Sequence, residues 1–195
     1  MARALSMTES NFCLTDPLDS LVVVMDVQQK LTSVMPSEVK ESVVEKINIL
    51  LTIANTLSIP IIVTEQYPDG LGPTVPALNE QLTRSVAIIE KTSFSAFDAL
   101  DFAEHIEQSG RKQILLVGME AHICILQTAL ALQKEGFQVF VVEDAVCSRS
   151  KINQDNGLHR LRKAGVIVTN VESVFFEWLG DASRAEFKDL AKLII

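Results

Sequence analysis

The chain has 195 residues, 48% of them apolar, with a mean hydropathy of +0.25. That is enough for a full hydrophobic core and too apolar for a disordered chain. A net charge of −8 and a pI near 4.9 argue against a nucleic-acid groove or an anionic membrane surface as partner. No apolar run reaches ~18 residues, so no membrane span is expected. Cys13, Cys124 and Cys147 form no CxxC and no pairing pattern, which reads as reduced thiols. The N-terminus lacks a basic start followed by an apolar stretch. The expectation is a cytoplasmic protein, with an organelle left open, built as a single domain over 1–195 with a variable N-terminal arm, Met1–Asp16.

In chain order, Leu21–Met25 (LVVVM) is a continuous apolar run ending at Asp26, as in a strand buried on both faces. Ser37–Leu57 has helical spacing in Val43, Val44, Ile47, Leu50, Leu51 and Ala54, with Ser37 as N-cap and Glu38 in the first turn. Pro60–Val63 is a second strand. Thr64–Leu78 (TEQYPDGLGPTVPAL) has loop chemistry throughout, in the manner of lids and pocket walls. Val86–Glu90 is a third strand ending at Lys91. Ser95 is expected to cap a helix running to about Gln108, with Asp98 completing a capping box and Gly110 ending it. Ile114–Val117 is strand four. After the polar break Met119–His122, Cys124 opens a helix closed by Gly136. Phe137–Val142 is strand five, Asp144–Ser150 a polar loop, and Asn153–Ala164 a helix. Val166–Thr169 is strand six, and helices over Val171–Leu179 and Ser183–Leu193 complete the chain.

Strands alternating with helices indicate an α/β fold, a three-layer Rossmann-like arrangement with a mostly parallel sheet covered on both faces. Ligands of such sheets bind beyond the carboxyl ends of the strands. Asp26 follows strand one, Lys91 strand three and Cys124 strand four, so all three fall at that edge. A thiol in the first turn of a helix faces unpaired N–H groups and the positive end of the dipole, which favours thiolate. An ammonium beside it favours the same form, and a carboxylate can take up the thiol proton. Backbone N–H groups around Cys124 are candidates to hold an oxyanion. If one strand separates strands one and three, Lys91 must cross roughly 10 Å.

Five segments in order, VVVMDVQQKL, IIEKTSFSAF, LVGMEAHICILQTAL, VVEDAVCSRS and AGVIVTNVESVFFEWL, resemble the isochorismatase-like cysteine hydrolases, which include nicotinamidases and N-carbamoylsarcosine amidases. TEQYPDGLGPTVPAL together with GMEAHICILQTAL resembles the isochorismatase domain-containing subgroup most. The resemblance implies a six-stranded sheet, a triad of Asp26, Lys91 and Cys124, and a cis peptide at Met119–Glu120 in an oxyanion turn of Met119, Glu120 and Ala121. Nicotinamidases hold a metal through an aspartate and histidines after strand two; Thr64–Leu78 has no histidine, and His105, His122 and His159 lack ligand spacing. No metal and no cofactor are expected. True isochorismatases lack the cysteine, so Cys124 points to an acyl-enzyme route on a C–N bond.

Each residue also has an ordinary role. Cys124 alone reads as a buried structural thiol, Asp26 as a strand-end cap and Lys91 as a surface charge; their common register favours the triad. Gln66, Tyr67, Phe94 and His122 are candidate substrate contacts, with loop or core packing as the alternative for each. Gln28 reads as a loop holder, and Ser148 and Arg149 as holders of their loop or of a subunit contact. The resulting expectation is a metal-independent hydrolase of a small amide-like molecule acting through a Cys124 thioester. The alternative is a catalytically silent binding or scaffold protein on the same fold. The Thr64–Leu78 loop and the apolar end Leu190, Leu193, Ile194, Ile195 point to a homo-oligomer.

Overall fold

Every residue of Ser20–Met25 (β1) is buried, which places this strand in the middle of the sheet. In the computed structural model, residues 14–82 and 86–194 are described. The other strands are Ile61–Gln66 (β2), Ala87–Lys91 (β3), Gln113–Met119 (β4), Gln138–Cys147 (β5) and Ile167–Thr169 (β6). They form one six-stranded sheet, order β3-β2-β1-β4-β5-β6, with every pairing parallel. The order in which strands are added reverses between β1 and β4, the switch point where α/β sheets open a crevice.

The pleat divides the core into two layers. Val22 and Val24 face one cluster with Ile47, Leu50 and Leu51 of the helix Ser37–Thr56 and Phe175 and Trp178 of the helix Val171–Leu179. Leu21, Val23 and Met25 face the other, with Phe102 and Ile106 of the helix Leu100–Ser109, Ala129 and Leu132 of the helix Leu126–Lys134, and Leu158 and Leu161 of the helix Lys151–Lys163. Trp178, fully enclosed, satisfies its indole N–H by donating to Ser20 Oγ at 3.0 Å.

The helices are Gln29–Ser33 (α1), Ser37–Thr56 (α2), Pro68–Leu71 (α3), Leu100–Ser109 (α4), Leu126–Lys134 (α5), Lys151–Lys163 (α6), Val171–Leu179 (α7) and Phe187–Leu190 (α8). Several differ from the sequence reading. The short α1 falls where no helix was expected. Ser37 is the first helical residue, with Pro36 at the cap position. Thr64–Leu78 is not all loop: β2 runs on through Gln66, followed by α3 and a 3-10 turn at Pro76–Leu78. The helix expected from Ser95 is broken into a 3-10 turn, Ala96–Asp98, and α4; Ser95 makes no capping bond and no capping box forms. The polar loop expected at Asp144–Ser150 is largely strand, since β5 continues to Cys147 beside β4. The last helix shortens to α8 and a 3-10 turn, Ala191–Leu193, and Leu190 turns into the core.

Of the N-terminal arm, residues 1–13 lie outside the described residues, Cys13 among them. The last part is anchored: Thr15 donates through its N–H and hydroxyl to Glu177 Oε2 at 2.8 and 2.9 Å. Asp16 N–H reaches Gln113 Oε1 at 2.6 Å. Among the described residues no helix is long and apolar enough to cross a membrane.

Candidate active site

Asp26 follows β1 directly and sits in the left-handed region with φ of 54°, where aspartate is better tolerated than most residues. Its backbone is fixed from two sides: its N–H donates to Thr64 O at 3.0 Å and its carbonyl accepts from Gln28 N–H at 2.8 Å. The carboxylate is fully buried. Oδ1 accepts the Thr64 hydroxyl at 2.7 Å, and Oδ2 accepts Lys91 Nζ at 2.9 Å.

Lys91 ends β3, and β2 does separate it from β1. Its stem spans that strand, and both side chains of the resulting ion pair are wholly enclosed. The ammonium lies 2.6 Å from Gln66 Oε1, 3.3 Å from Ser93 O and 3.8 Å from Cys124 Sγ. A buried pair of this kind seldom gains stability over apolar residues of the same volume, because desolvation offsets the attraction.

Cys124 is carried by a wide turn, not by the first turn of an ordinary helix: Ala121–Ile125 is π-helical and α5 begins at Leu126. π-Turns of this sort recur at functional sites. The preceding Met119–Glu120 peptide is cis. Glu120 O accepts from both Ile123 and Ile125 N–H, at 3.0 and 3.3 Å. Just before the turn, Gly118 has φ of 113°, and a Cβ there would lie 2.1 Å from Met25 O. No other residue fits so close an approach of β4 to β1.

Two side-chain clamps tie this turn to the segment after β5. The buried Glu120 carboxylate accepts Arg149 N–H at 2.8 Å and Arg149 Nε at 3.0 Å. His122 Nδ1 lies 2.9 Å from Ser148 Oγ. Gly157 of α6 packs beneath, where a Cβ would come within 2.9 Å of His122 Cα. A third tie joins the loop after Lys91 to α5: Ala96 N–H donates to the buried Thr128 Oγ1 at 2.8 Å. Thr64, Ser93 and Thr128 are not among the candidates read from the sequence. Thr64 was findable in principle, because in a parallel sheet the residue opposite Met25 lies at the same edge as Asp26.

The expectation that Cys124 favours thiolate is reversed. Burial, and then the charge of Asp26, push the thiol up to about 12, and the opposing pull of Lys91 does not compensate. Cys147 is likewise pushed up to about 12, by burial and by Glu120. The resting thiol is neutral, beside a carboxylate that can accept its proton.

Gln66 faces Lys91, with its Nε2 donating to Thr92 O at 2.7 Å. Tyr67 is 56% exposed, with φ of 39°, and its ring lies against Gly70. Phe94 is also 56% exposed, in the loop after Lys91. His122 is half-buried, Met119 is within the core on the α2 side, and Ala121 is within the core on the α5 side. Among the described residues no group of three or more His, Cys, Asp or Glu is placed to hold a metal ion. A cavity of about 590 Å³ lies along α2 against Val75 and Leu193, and Asp26, Lys91 and Cys124 do not line it.

Residues 20–173 match the Isochorismatase domain family. The chain is 38% identical over 178 residues to isochorismatase domain-containing protein 2 of Bos taurus, covering 91% of this chain and 84% of the relative. It superposes on a structure described as MAR1 ribonuclease from Caenorhabditis elegans with a TM-score of 0.86, 37% identity, and coverage of 93% and 92% of the two chains. The Escherichia coli YcaC product, described as an octameric hydrolase of unknown specificity, gives a TM-score of 0.84, 28% identity, and coverage of 94% and 90%. With its fold and matched span in agreement, the chain belongs to the isochorismatase family and has that family's hydrolase fold.

Proposed function

We propose that the chain is a metal-independent cysteine hydrolase that cleaves a small amide-like C–N bond through a thioester on Cys124. The observation that carries this reading is the junction of three strand ends, with Lys91 Nζ 2.9 Å from Asp26 Oδ2 and 3.8 Å from Cys124 Sγ. As substrate enters, Asp26 takes the proton from Sγ, and the sulfur attacks the carbonyl carbon. Lys91 then faces the negative charge on the sulfur side of the site, and backbone N–H groups near Ala121 and Cys124 hold the oxyanion. Collapse breaks the C–N bond, and the departing amine takes the proton from Asp26. Water, deprotonated by Asp26, attacks the thioester; the C–S bond breaks, the acid leaves and the thiol is restored. A neutral resting thiol suits this order, since the base and nucleophile exchange a proton only on the reaction path.

The same neutral thiol is also the observation that favours a silent binding protein. One experiment separates the two: ammonia or amine release from a panel of small amides, ureides and carbamoyl compounds, with mass spectrometry for an acyl adduct on Cys124. Turnover lost in Cys124→Ala supports the hydrolase; a folded wild-type protein that neither turns over nor acylates supports the silent reading. The ribonuclease name of the nematode relative gains no support from electrostatics, since a net charge of −8 opposes binding of a phosphate backbone.

The same proposal includes a homo-oligomer. The octameric description of the bacterial relative supports it, as do the partly exposed Phe176 and Leu193 on the α2 side of the fold. Sedimentation equilibrium tests it, and a monomer at micromolar concentration would overturn it.

A further inference from the structure

Gln66 was a candidate substrate contact, but both ends of its amide are occupied by the protein. Oε1 accepts Lys91 Nζ at 2.6 Å, and Nε2 donates to Thr92 O at 2.7 Å. The second bond fixes which end faces the lysine, because a flipped amide would set an NH2 group against an ammonium and a carbonyl against a carbonyl. Gln66 is the last residue of β2 and is registered directly with Lys91. It therefore stands on the strand that the lysine stem must cross to reach Asp26.

Its backbone is held as firmly as its side chain. The buried Gln28 amide grips it at both polar groups, accepting Gln66 N–H at 2.8 Å and donating to Gln66 O at 3.0 Å. Gln28 Nε2 also donates to Gly72 O at 2.7 Å, which ties the loop after α3 to the same point. An unbroken chain of hydrogen bonds thus runs from Gln28 through Gln66 to Lys91.

An ammonium has three N–H donors. Among the described residues the oxygen acceptors around Lys91 are also three: Asp26 Oδ2, Gln66 Oε1 and Ser93 O. The sulfur, at 3.8 Å, interacts with the charge from a fixed position. We propose that Gln66 is a positioning residue of the hydrolase site, acting through Lys91: it fixes the ammonium between Asp26 and Cys124 and does not itself contact substrate. The inference rests on the nucleophile reading of Cys124. Losing this acceptor leaves a buried N–H unpaired and weakens the case for a charged lysine, so its field at the sulfur falls.

The test is a double-mutant cycle with iodoacetamide as probe, reading the labelling rate at Cys124 by mass spectrometry from pH 8 upward. The proteins are wild type, Gln66→Met, Lys91→Met and the double variant, each checked for a folded thermal transition. Gln66→Met is expected to slow Cys124 labelling about tenfold or more and to move its rise to higher pH. In the Lys91→Met background the same substitution is expected to add nothing. Equal and independent effects in both backgrounds, or an unchanged pH profile in Gln66→Met, overturn the proposal. A raised KM with unchanged labelling and unchanged kcat also overturns it and returns Gln66 to substrate binding. Should Lys91→Met not fold, Gln66→Glu decides alone: its added charge must move labelling to higher pH, and no movement overturns the proposal. Wild-type protein that never labels at Cys124 while folded removes the nucleophile reading itself, an outcome distinct from all of these.

Discussion

Lys91 ends β3 and Asp26 follows β1, two strands that do not touch, yet their charged atoms meet at 2.9 Å with both side chains fully enclosed. Two charges taken out of water must satisfy each other, so removing one leaves the other uncompensated. Lys91→Met is expected to cost roughly 3 to 5 kcal/mol of folding stability, in addition to abolishing turnover. Urea unfolding followed by circular dichroism measures it. A loss under ~1 kcal/mol would mean that the pair is not desolvated as described.

The pH dependence of thiol reactivity follows from Cys124 being pushed up to about 12 by burial and by Asp26. Below that value the thiolate is the minor form. Iodoacetamide labelling of Cys124 is therefore expected to be slow and nearly flat through neutral pH and to climb through the alkaline range. Labelling that is complete and fast at pH 7 would refute a neutral resting thiol.

The same shift has a stability consequence with a definite sign. Cys124 and Cys147 titrate near 9.0 when unfolded and near 12 when folded. Above pH 9 the unfolded chain gives up protons that the folded chain keeps, so the contribution of both thiols is full below pH 9 and declines from there towards pH 12. Thermal midpoints measured between pH 8 and pH 11 should fall, and Cys147→Ala should flatten part of that fall after allowance for its own cavity cost.

Gly157 has no room for a methyl group, because His122 Cα would be 2.9 Å away. Gly157→Ala gains helix propensity of up to ~1 kcal/mol inside α6. It also pushes on the turn that carries Cys124. The expected result is a sharp loss of kcat with a modest change in melting temperature. Full activity in this variant would show that the turn tolerates displacement.

Thr128→Val keeps the shape of the side chain and removes the acceptor for Ala96 N–H. A buried N–H left without a partner costs about 1 to 3 kcal/mol. Faster hydrogen exchange at Ala96 and a lower melting temperature are the expected readouts.

The strands were legible because a buried parallel strand is a plain apolar run, and LVVVM at Leu21–Met25 could hardly be anything else. That Asp26, Lys91 and Cys124 share one edge of the sheet was legible because each stands at or after the end of such a run. The extension of β5 was hidden because Glu143 and Asp144 interrupt its apolar pattern, although Ala145, Val146 and Cys147 turn back into the core. The π-turn was hidden because π and α segments share much the same residue preferences. The protonation of Cys124 was misread for a different reason: helix position and a neighbouring lysine are visible in sequence, while depth of burial is not. The bond from Gln66 to Thr92 O was hidden because its acceptor is a backbone group that no side-chain pattern reveals.

The placement of Lys91 on the outermost strand makes the chemistry depend on the periphery of the fold. Its partner Asp26 is 65 residues away in sequence and Cys124 is 33, so no local segment can form the junction alone. A sub-global opening that frees β3 would leave β1, β4 and β5 paired and most of the core intact, yet would remove the ammonium from the thiol. Such openings lie below the global unfolding free energy. Activity should then disappear at lower denaturant than ellipticity does, with loss of catalysis marking the detachment of a single edge strand.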